Sequence, residues 1–186
     1  MKKKYTIIYA DPAWQYKDRA LAGKRGAGCK YRVNSDQAII DLPVRQIAAD
    51  NAWLFIWVTM PKIFVAQRVI ESWGFKYKTN AFTWVKRNKS GKGWFWGLGH
   101  YTRANTELCL LATRGKVKRI SARVHSVIDT PIQGHSQKPQ EARKRILELC
   151  GDLPRVELFA RGSVPGWDTL GDESEDGRTL EEALSS

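Results

Sequence analysis

The chain has 186 residues, of which 42% are apolar and 27% are charged, so it can bury the core of a single domain and is not disordered throughout. The apolar runs are too short to span a membrane, and the lysine-rich start is too short and too polar for a signal peptide. Three widely spaced cysteines, Cys29, Cys109 and Cys150, form no CxxC pair. We therefore expect reduced thiols in a cytoplasmic protein, with no disulfide and no metal site.

The net charge of +12 is unevenly distributed along the chain. Residues 168–186 carry seven acids and one base, a balance of −6, and the remaining residues carry a balance of +18. Bases cluster at residues 86–92, where glycines favour a loop bordered by tryptophans, and again at residues 114–123. Such a basic body attracts nucleic acid, although a basic surface that serves solubility alone is the alternative. We expect residues 174–186 to be an acidic, flexible tail.

Apolar runs alternate with segments of helical spacing. The predicted strands are residues 4–10, 52–58, 76–85, 107–112, 156–160 and 167–170. The predicted helices are residues 35–49, interrupted near Pro43, then 59–73 and 138–150. In the second helix, Phe64, Val65, Ile70 and Trp73 are expected to share one face. This alternation predicts an α/β domain with a mostly parallel sheet and helices on both faces.

Ligands of such sheets bind at the carboxyl ends of the strands, where residues 11–14, Asp-Pro-Ala-Trp, follow the first predicted strand. These residues suit the handling of an exocyclic amine on a flat base. A carboxylate from Asp11 and the carbonyl of Pro12 can accept the two N–H groups, which frees the nitrogen lone pair. Trp14 offers a face for an extruded base. From the residues alone, a plain turn with a core tryptophan is the more common interpretation.

The Asp11-Pro12-Ala13-Trp14 sequence resembles the Asp-Pro-Pro-Trp signature of adenine-N6 amino-methyltransferases. That family includes subunits of messenger-RNA adenosine methyltransferases and small phage and bacterial DNA adenine methyltransferases. Further segments are similar to the family in the same order; they are residues 53–58, 74–76, 83–86, 99–115, 135–139, 156–161 and 166–173. The resemblance implies a Rossmann-like methyltransferase fold with a permuted motif order over residues 1–173.

By the same resemblance, the cofactor is S-adenosylmethionine and the catalytic residues are Asp11, Pro12, Ala13 and Trp14. Asp11 is expected to lie close to both the sulfonium and the target amine. The remaining implied cofactor-binding residues are Lys138 near the carboxylate, Phe159 and Arg161 beside the ribose and adenine, and Asp172 and Glu173 near the ribose hydroxyls. Transfer is expected to be direct, without a covalent enzyme intermediate.

The implied activity is methyl transfer to adenine N6 in nucleic acid. We favour DNA over RNA, because the chain carries its own basic loops and no appended module; no obligatory protein partner is indicated, and a homodimer is compatible with the sequence. Ala13 replaces the second proline of the signature and removes its rigidity, so a catalytically silent nucleic-acid-binding module is the alternative. The expected nucleic-acid-binding residues are Lys17, Arg19, Arg25, Lys86, Arg87, Lys89, Lys92 and Arg103.

Overall fold

A computed structural model describes residues 3–16, 35–99, 101–134, 137–171 and 180–185. The strands are β1 Tyr5–Ala10, β2 Ala48–Val58, β3 Lys76–Arg87, β4 Glu107–Arg114, β5 Val127–Pro131, β6 Arg155–Leu158 and β7 Asp168–Leu170. The helices are α1 Asp36–Asp41, α2 Ile63–Ser72, α3 Gln140–Cys150 and α4 Leu180–Ser185, with short 3-10 turns at Val44–Gln46 and Met60–Lys62. The described strands form one seven-stranded sheet in the order β5-β3-β4-β2-β1-β6-β7.

The sheet is mixed and mostly parallel. Strand β1 runs parallel to β2 and β6, β6 runs parallel to β7, and β3 runs parallel to β5. Strand β4 is antiparallel to both of its neighbours, β2 and β3. The carboxyl ends of β1, β2, β3 and β6 therefore share one edge of the sheet with the first residue of β4. The predicted Rossmann-like α/β fold is confirmed, and this edge is where a ligand site is expected.

The two faces of the sheet form two separate apolar cores. Along β1, Ile8 and Ala10 face one core together with α1, α2 and α4, whereas Ile7 and Tyr9 face the other together with α3. This alternation follows from the two-residue period of a strand. Both faces are covered by helices, as the sequence predicts, so the polar groups of the strand ends are left at the sheet edge.

Several element boundaries differ from the sequence prediction. Ser35 caps α1 by accepting a hydrogen bond from the Ala38 N–H at 3.1 Å. After Pro43 the chain forms only the 3-10 turn Val44–Gln46 and not a helix to residue 49, because β2 already begins at Ala48. The assignment of Phe64 to the buried face of α2 is wrong, since its side chain is 81% exposed. Phe64 lies two residues before the buried Ala66, on the opposite side of the helix.

Two elements, β5 and α4, are absent from the sequence prediction. Strand β5 gives little signal because Ile128 is its only buried residue. Helix α4 lies within the acidic end, and its Leu180 and Leu184 are buried in the core that also contains α1 and α2. Leucines four residues apart share one helix face, so a short amphipathic signal is present among the acids. Within the described part of the chain, no helix has the length and apolar content needed to cross a membrane.

Candidate active site

The Asp-Pro-Ala-Trp motif leaves the sheet between β2 and β6. The Asp11 N–H donates to the Leu158 carbonyl of β6 at 3.4 Å, and the Trp14 N–H donates to the Pro12 carbonyl at 2.9 Å, which closes a three-residue turn around Ala13. Trp14 is only 5% exposed, and its indole N–H donates to the Trp57 carbonyl at 3.0 Å. The motif is thus held at both ends. Trp14 is a wall of the site that also belongs to the core.

Asp11 of the motif and three side chains beside it form a network of alternating charge. The Lys138 Nζ is 2.7 Å from Asp11 Oδ1 and 3.2 Å from Glu107 Oε2. The other oxygen of Glu107 forms an ion pair with Lys86. Lys138 is only 8% exposed, so its charge depends on these two carboxylates rather than on water. Asp11, which follows β1, is thereby connected to the first residue of β4 and to β3.

The surroundings shift the pKa values of three members of this network. Burial raises the pKa of the Asp11 carboxyl, and Lys138 offsets only part of that rise. Burial lowers the pKa of the Lys138 ammonium, but Asp11 and Glu107 raise it by more, so the net shift is upward. Burial alone raises the pKa of Glu107, but Lys138 and Lys86 lower it by more. Lys138 and Glu107 are therefore charged at neutral pH, and Asp11 titrates above the ordinary aspartate range.

Two adjoining cavities meet at this network. The larger, of about 750 Å³, lies beside α3 and the end of β6, and its walls include Gln137, Glu157, Phe159 and Trp167. The smaller, of about 280 Å³, is enclosed by residues 11–14 together with Tyr16, Trp57 and Thr59. Asp11, Lys138 and Arg161 line both cavities. A group bound in one cavity would therefore approach a group bound in the other at the Asp11 carboxylate.

The end of β6 has an unusual backbone. Phe159, directly after β6, has φ of +62°, a conformation that costs a phenylalanine energy and that commonly marks a functional position. The Ala160 N–H donates to the Leu170 carbonyl at 3.1 Å, and a Cβ at Gly171 would lie 2.3 Å from the Ala160 carbonyl oxygen. Glycine is thus required at 171. This close packing holds Phe159 in the wall of the larger cavity.

The structure brings together part of the predicted cofactor set. Lys138, Phe159 and Arg161 all line the larger cavity, and Lys138 also contacts Asp11 directly. Asp172 and Glu173 lie outside the described residues.

The predicted nucleic-acid-binding residues fall into three groups. Lys86 and Arg87 belong to β3 rather than to a loop; Lys86 is paired with Glu107, and Arg87 donates to both oxygens of Asp129 at 2.6 Å. Exposed cations on the connection from β3 to β4 form the second group, which is Lys89, Lys92 and Arg103. The third group lies outside the described residues and consists of Lys17, Arg19 and Arg25. The exposed second group is thus better placed than the first to contact phosphates.

Sequence reasoning missed several residues of the site. Glu107 is the charged residue directly before the apolar run of residues 108–112 in β4, and this is a local signal in the sequence. In the wall of the smaller cavity, the Tyr16 hydroxyl forms a hydrogen bond with the Thr59 hydroxyl, 43 positions away in the sequence. In the larger cavity, Arg143 donates to both oxygens of Glu157 at 2.7 Å, and Glu157 is 7% exposed. Such pairings between separate elements have no local signature.

Known proteins are similar to this chain over nearly its whole length. Residues 5–173 match the MT-A70 family model. The Type II methyltransferase M.MunI of Mycoplasma sp is 32% identical over 95% of this chain and 81% of its own length. The human N(6)-adenosine-methyltransferase catalytic subunit METTL3 is 26% identical over 91% of this chain, but that region is only 28% of its length. The human N(6)-adenine-specific methyltransferase METTL4 is 27% identical over 92% of this chain and 38% of its length.

Proposed function

This chain belongs to the MT-A70 methyltransferase family, and on that premise we propose that it transfers a methyl group from S-adenosylmethionine to the N6 amine of adenine in DNA. The proposal of DNA is supported by the similarity to M.MunI, which extends over most of both chains. The similarity to METTL3 covers only 28% of that longer protein and supports RNA as the second candidate substrate.

The larger cavity fits the proposed cofactor. Its volume of about 750 Å³ is within the range of cofactor sites, and its walls combine an aromatic face at Phe159 with cations at Lys138 and Arg161. An amino-acid carboxylate can pair with such cations, and a ribose and adenine can lie against such a face. When bound, S-adenosylmethionine supplies an electrophilic methyl group on a sulfonium. Phe159 and Arg161 orient the nucleoside portion, and Lys138 holds the carboxylate end near Asp11.

The smaller cavity suits a single extruded base. Its volume of about 280 Å³ is near the lower limit of ligand cavities, and its walls include the rings of Trp14, Tyr16 and Trp57. The Asp11 carboxylate accepts one N–H of the amine. The Pro12 carbonyl, whose second lone pair is not used by the Trp14 N–H, accepts the other. The nitrogen lone pair is then directed away from the ring and toward the larger cavity.

No nucleophile from the protein is needed for this reaction. Cys109 is buried, and burial raises the pKa of its thiol well above the ordinary range. Burial also raises the pKa of the Cys150 thiol to about 12. The two cysteine thiols among the described residues are therefore protonated at neutral pH, which favours direct transfer; Cys29 lies outside those residues. The observation that carries the proposal is the position of Asp11 at the junction of the two cavities.

Ala13 motivates a second candidate, a catalytically silent module that binds nucleic acid. Ala13 has a negative φ and is the centre of the turn closed by the Trp14 N–H. Turns of this kind hold their central residue near φ −75°, close to the value fixed by proline. An Ala13→Pro substitution therefore fits the turn, and it removes no backbone hydrogen bond that Ala13 makes to the described part of the chain.

The test is transfer of a labelled methyl group to DNA and RNA oligonucleotides, single-stranded and duplex, by the unsubstituted chain and by Ala13→Pro. We expect transfer to DNA adenine by both proteins. Transfer to RNA alone would contradict the choice of substrate. Transfer only after Ala13→Pro would identify the chain with Ala13 as the silent form. Cofactor binding without transfer by either protein would refute the proposed activity.

A further inference from the structure

A second cationic surface lies at the edge of the sheet opposite Asp11. Strand β4 starts at Glu107 beside the active site and ends at Arg114, and eight extended residues span about 24 Å. Residues 115–126, here called the basic segment, follow β4 at that far end and lead to β5. Lys116, Lys118 and Arg119, in its first part, therefore lie toward the far end. The Ser126 carbonyl accepts a hydrogen bond from the Thr83 N–H, opposite Leu108, so the end of the segment returns toward the active-site edge.

The basic segment is anchored to the domain although it has no helix or strand. Gly115, with φ of +60°, turns tightly at the Asp50 carbonyl, and the Lys116 N–H donates to Asn51 Oδ1 at 2.6 Å. Further along, the Ile120 N–H donates to the Leu149 carbonyl of α3 at 2.8 Å. Val117 and Val124 pack against the core that contains α3. The backbone is thus fixed before any ligand arrives, which reduces the entropy lost on binding.

The charged side chains of this segment point into solvent without acidic partners. Lys116, Lys118, Arg119 and Arg123 are all exposed, and none of them forms an ion pair with a described residue. Glu148 lies beside the segment, but it accepts a hydrogen bond from the Ser121 hydroxyl. By contrast, Lys86 and Lys138 at the active-site edge are both paired with carboxylates. The cations of the basic segment therefore remain free to neutralise a polyanion.

We propose that the basic segment is a second DNA-binding surface, which contacts the phosphate backbone of duplex DNA beyond the part that reaches the active site. This inference rests on the proposed function, because the target adenine places DNA at the opposite edge of the same sheet. Cations on a fixed backbone, spread over eight residues, suit successive phosphates and carry no information about base sequence. A membrane surface fits less well, since Ile120 is the only large apolar side chain exposed among these cations.

The test compares duplex DNA of two lengths, one just covering the active site and one several times longer. The variant is the triple substitution Lys116→Gln, Lys118→Gln and Arg119→Gln. On the long duplex, we expect affinity to fall by roughly tenfold or more, and the slope of log affinity against log salt to decrease by about 2 to 3, from about 0.9 per phosphate contact. On the short duplex, affinity and methyl transfer are expected to stay unchanged.

A matched control removes one charge at a time. Arg119→Gln is compared with Arg68→Gln, which removes an exposed arginine from α2. Only Arg119→Gln is expected to lower the long-duplex slope. An unchanged slope for the triple variant would overturn the inference, as would equal losses on both lengths, a loss confined to duplex RNA, or binding to anionic vesicles in place of DNA. The measurement of DNA affinity does not require methyl transfer. A chain that transfers no methyl group would therefore refute the proposed function, whereas the salt slope of the triple variant decides separately whether the basic segment binds DNA.

Discussion

The two edges of the sheet use charge in opposite ways. At the carboxyl edge, Asp11, Lys138 and Glu107 are largely buried and are paired with one another. Toward the far edge, Lys116, Lys118 and Arg119 of the basic segment are exposed and have no acidic partner among the described residues. Buried paired charges act through position and pKa, and salt screens them little. Exposed charges act through their number, and salt screens them strongly. Substitutions at the two edges should therefore differ in kind as well as in size.

The largest effect is expected at Asp11. Asp11→Ala removes the acceptor at the junction of the two cavities, so methyl transfer should fall by about 10³-fold or more. The domain should still fold, because the ionised carboxylate is itself disfavoured by burial. Initial rates with labelled cofactor, together with circular dichroism, measure both effects. Asp50→Ala, at a fully exposed carboxylate, is the matched control and should keep full activity. Substantial transfer by Asp11→Ala would refute the proposed role.

Lys138 should show the largest effect on stability. Lys138→Met leaves Asp11 and Glu107 without the buried cation between them, and loss of such a partner costs about 3–5 kcal/mol at neutral pH. Without Lys138, the pKa of Asp11 rises further in the folded state. A carboxyl whose pKa is raised by folding favours the folded state at low pH, and that contribution is lost as pH rises through the folded pKa.

The loss of unfolding free energy caused by Lys138→Met should therefore become smaller as the pH is lowered from 8 to 5. Urea unfolding measures this loss. The acidic limb of the methyl-transfer profile should move to higher pH for the same reason. Lys144→Met, at an exposed position on α3, is the stability control, and its free energy of unfolding should be close to that of the unsubstituted chain at every pH. A deficit that does not depend on pH would show that Lys138 contributes only packing.

Glu107 should show a smaller effect with the opposite dependence on pH. Its pKa is lowered in the folded state. Its contribution to the free energy of unfolding is therefore complete above the unfolded pKa of 4.5 and is lost as the pH falls below that value. Glu107→Gln should lower the free energy of unfolding by about 1–3 kcal/mol at pH 7, and by less near pH 4. Unfolding of Glu107→Gln and of the exposed Glu148→Gln at both pH values checks this. An equal deficit at the two pH values would contradict the lowered pKa.

The sequence predicts those features of the molecule that depend on neighbouring residues. The strand before Asp11, the Ser35 cap and the glycine after α3 all have local signals. The family resemblance predicts Lys138, Phe159 and Arg161, and the structure places all three in the larger cavity. The ion pair between Lys138 and Asp11 has no local signal, because it spans 127 positions and depends on how β1 and α3 pack. Likewise, no local pattern distinguishes the paired Lys86 from the exposed Lys89.

That distinction leads to the smallest expected effect, a change in the salt dependence of DNA binding. Lys89→Gln with Lys92→Gln removes two exposed cations, so the slope of log affinity against log salt should decrease by about 1.8, from about 0.9 per contact. Lys86→Gln with Arg87→Gln removes the same charge, but these cations are already neutralised by Glu107 and Asp129. The sequence alone predicts that this second pair also flattens the salt dependence, whereas the observed ion pairs indicate a smaller change. Binding to a short duplex over a salt series measures both variants. If the two slopes decrease equally, the ion pairs of β3 must open when DNA binds, and pairing would then no longer separate the two edges of the sheet.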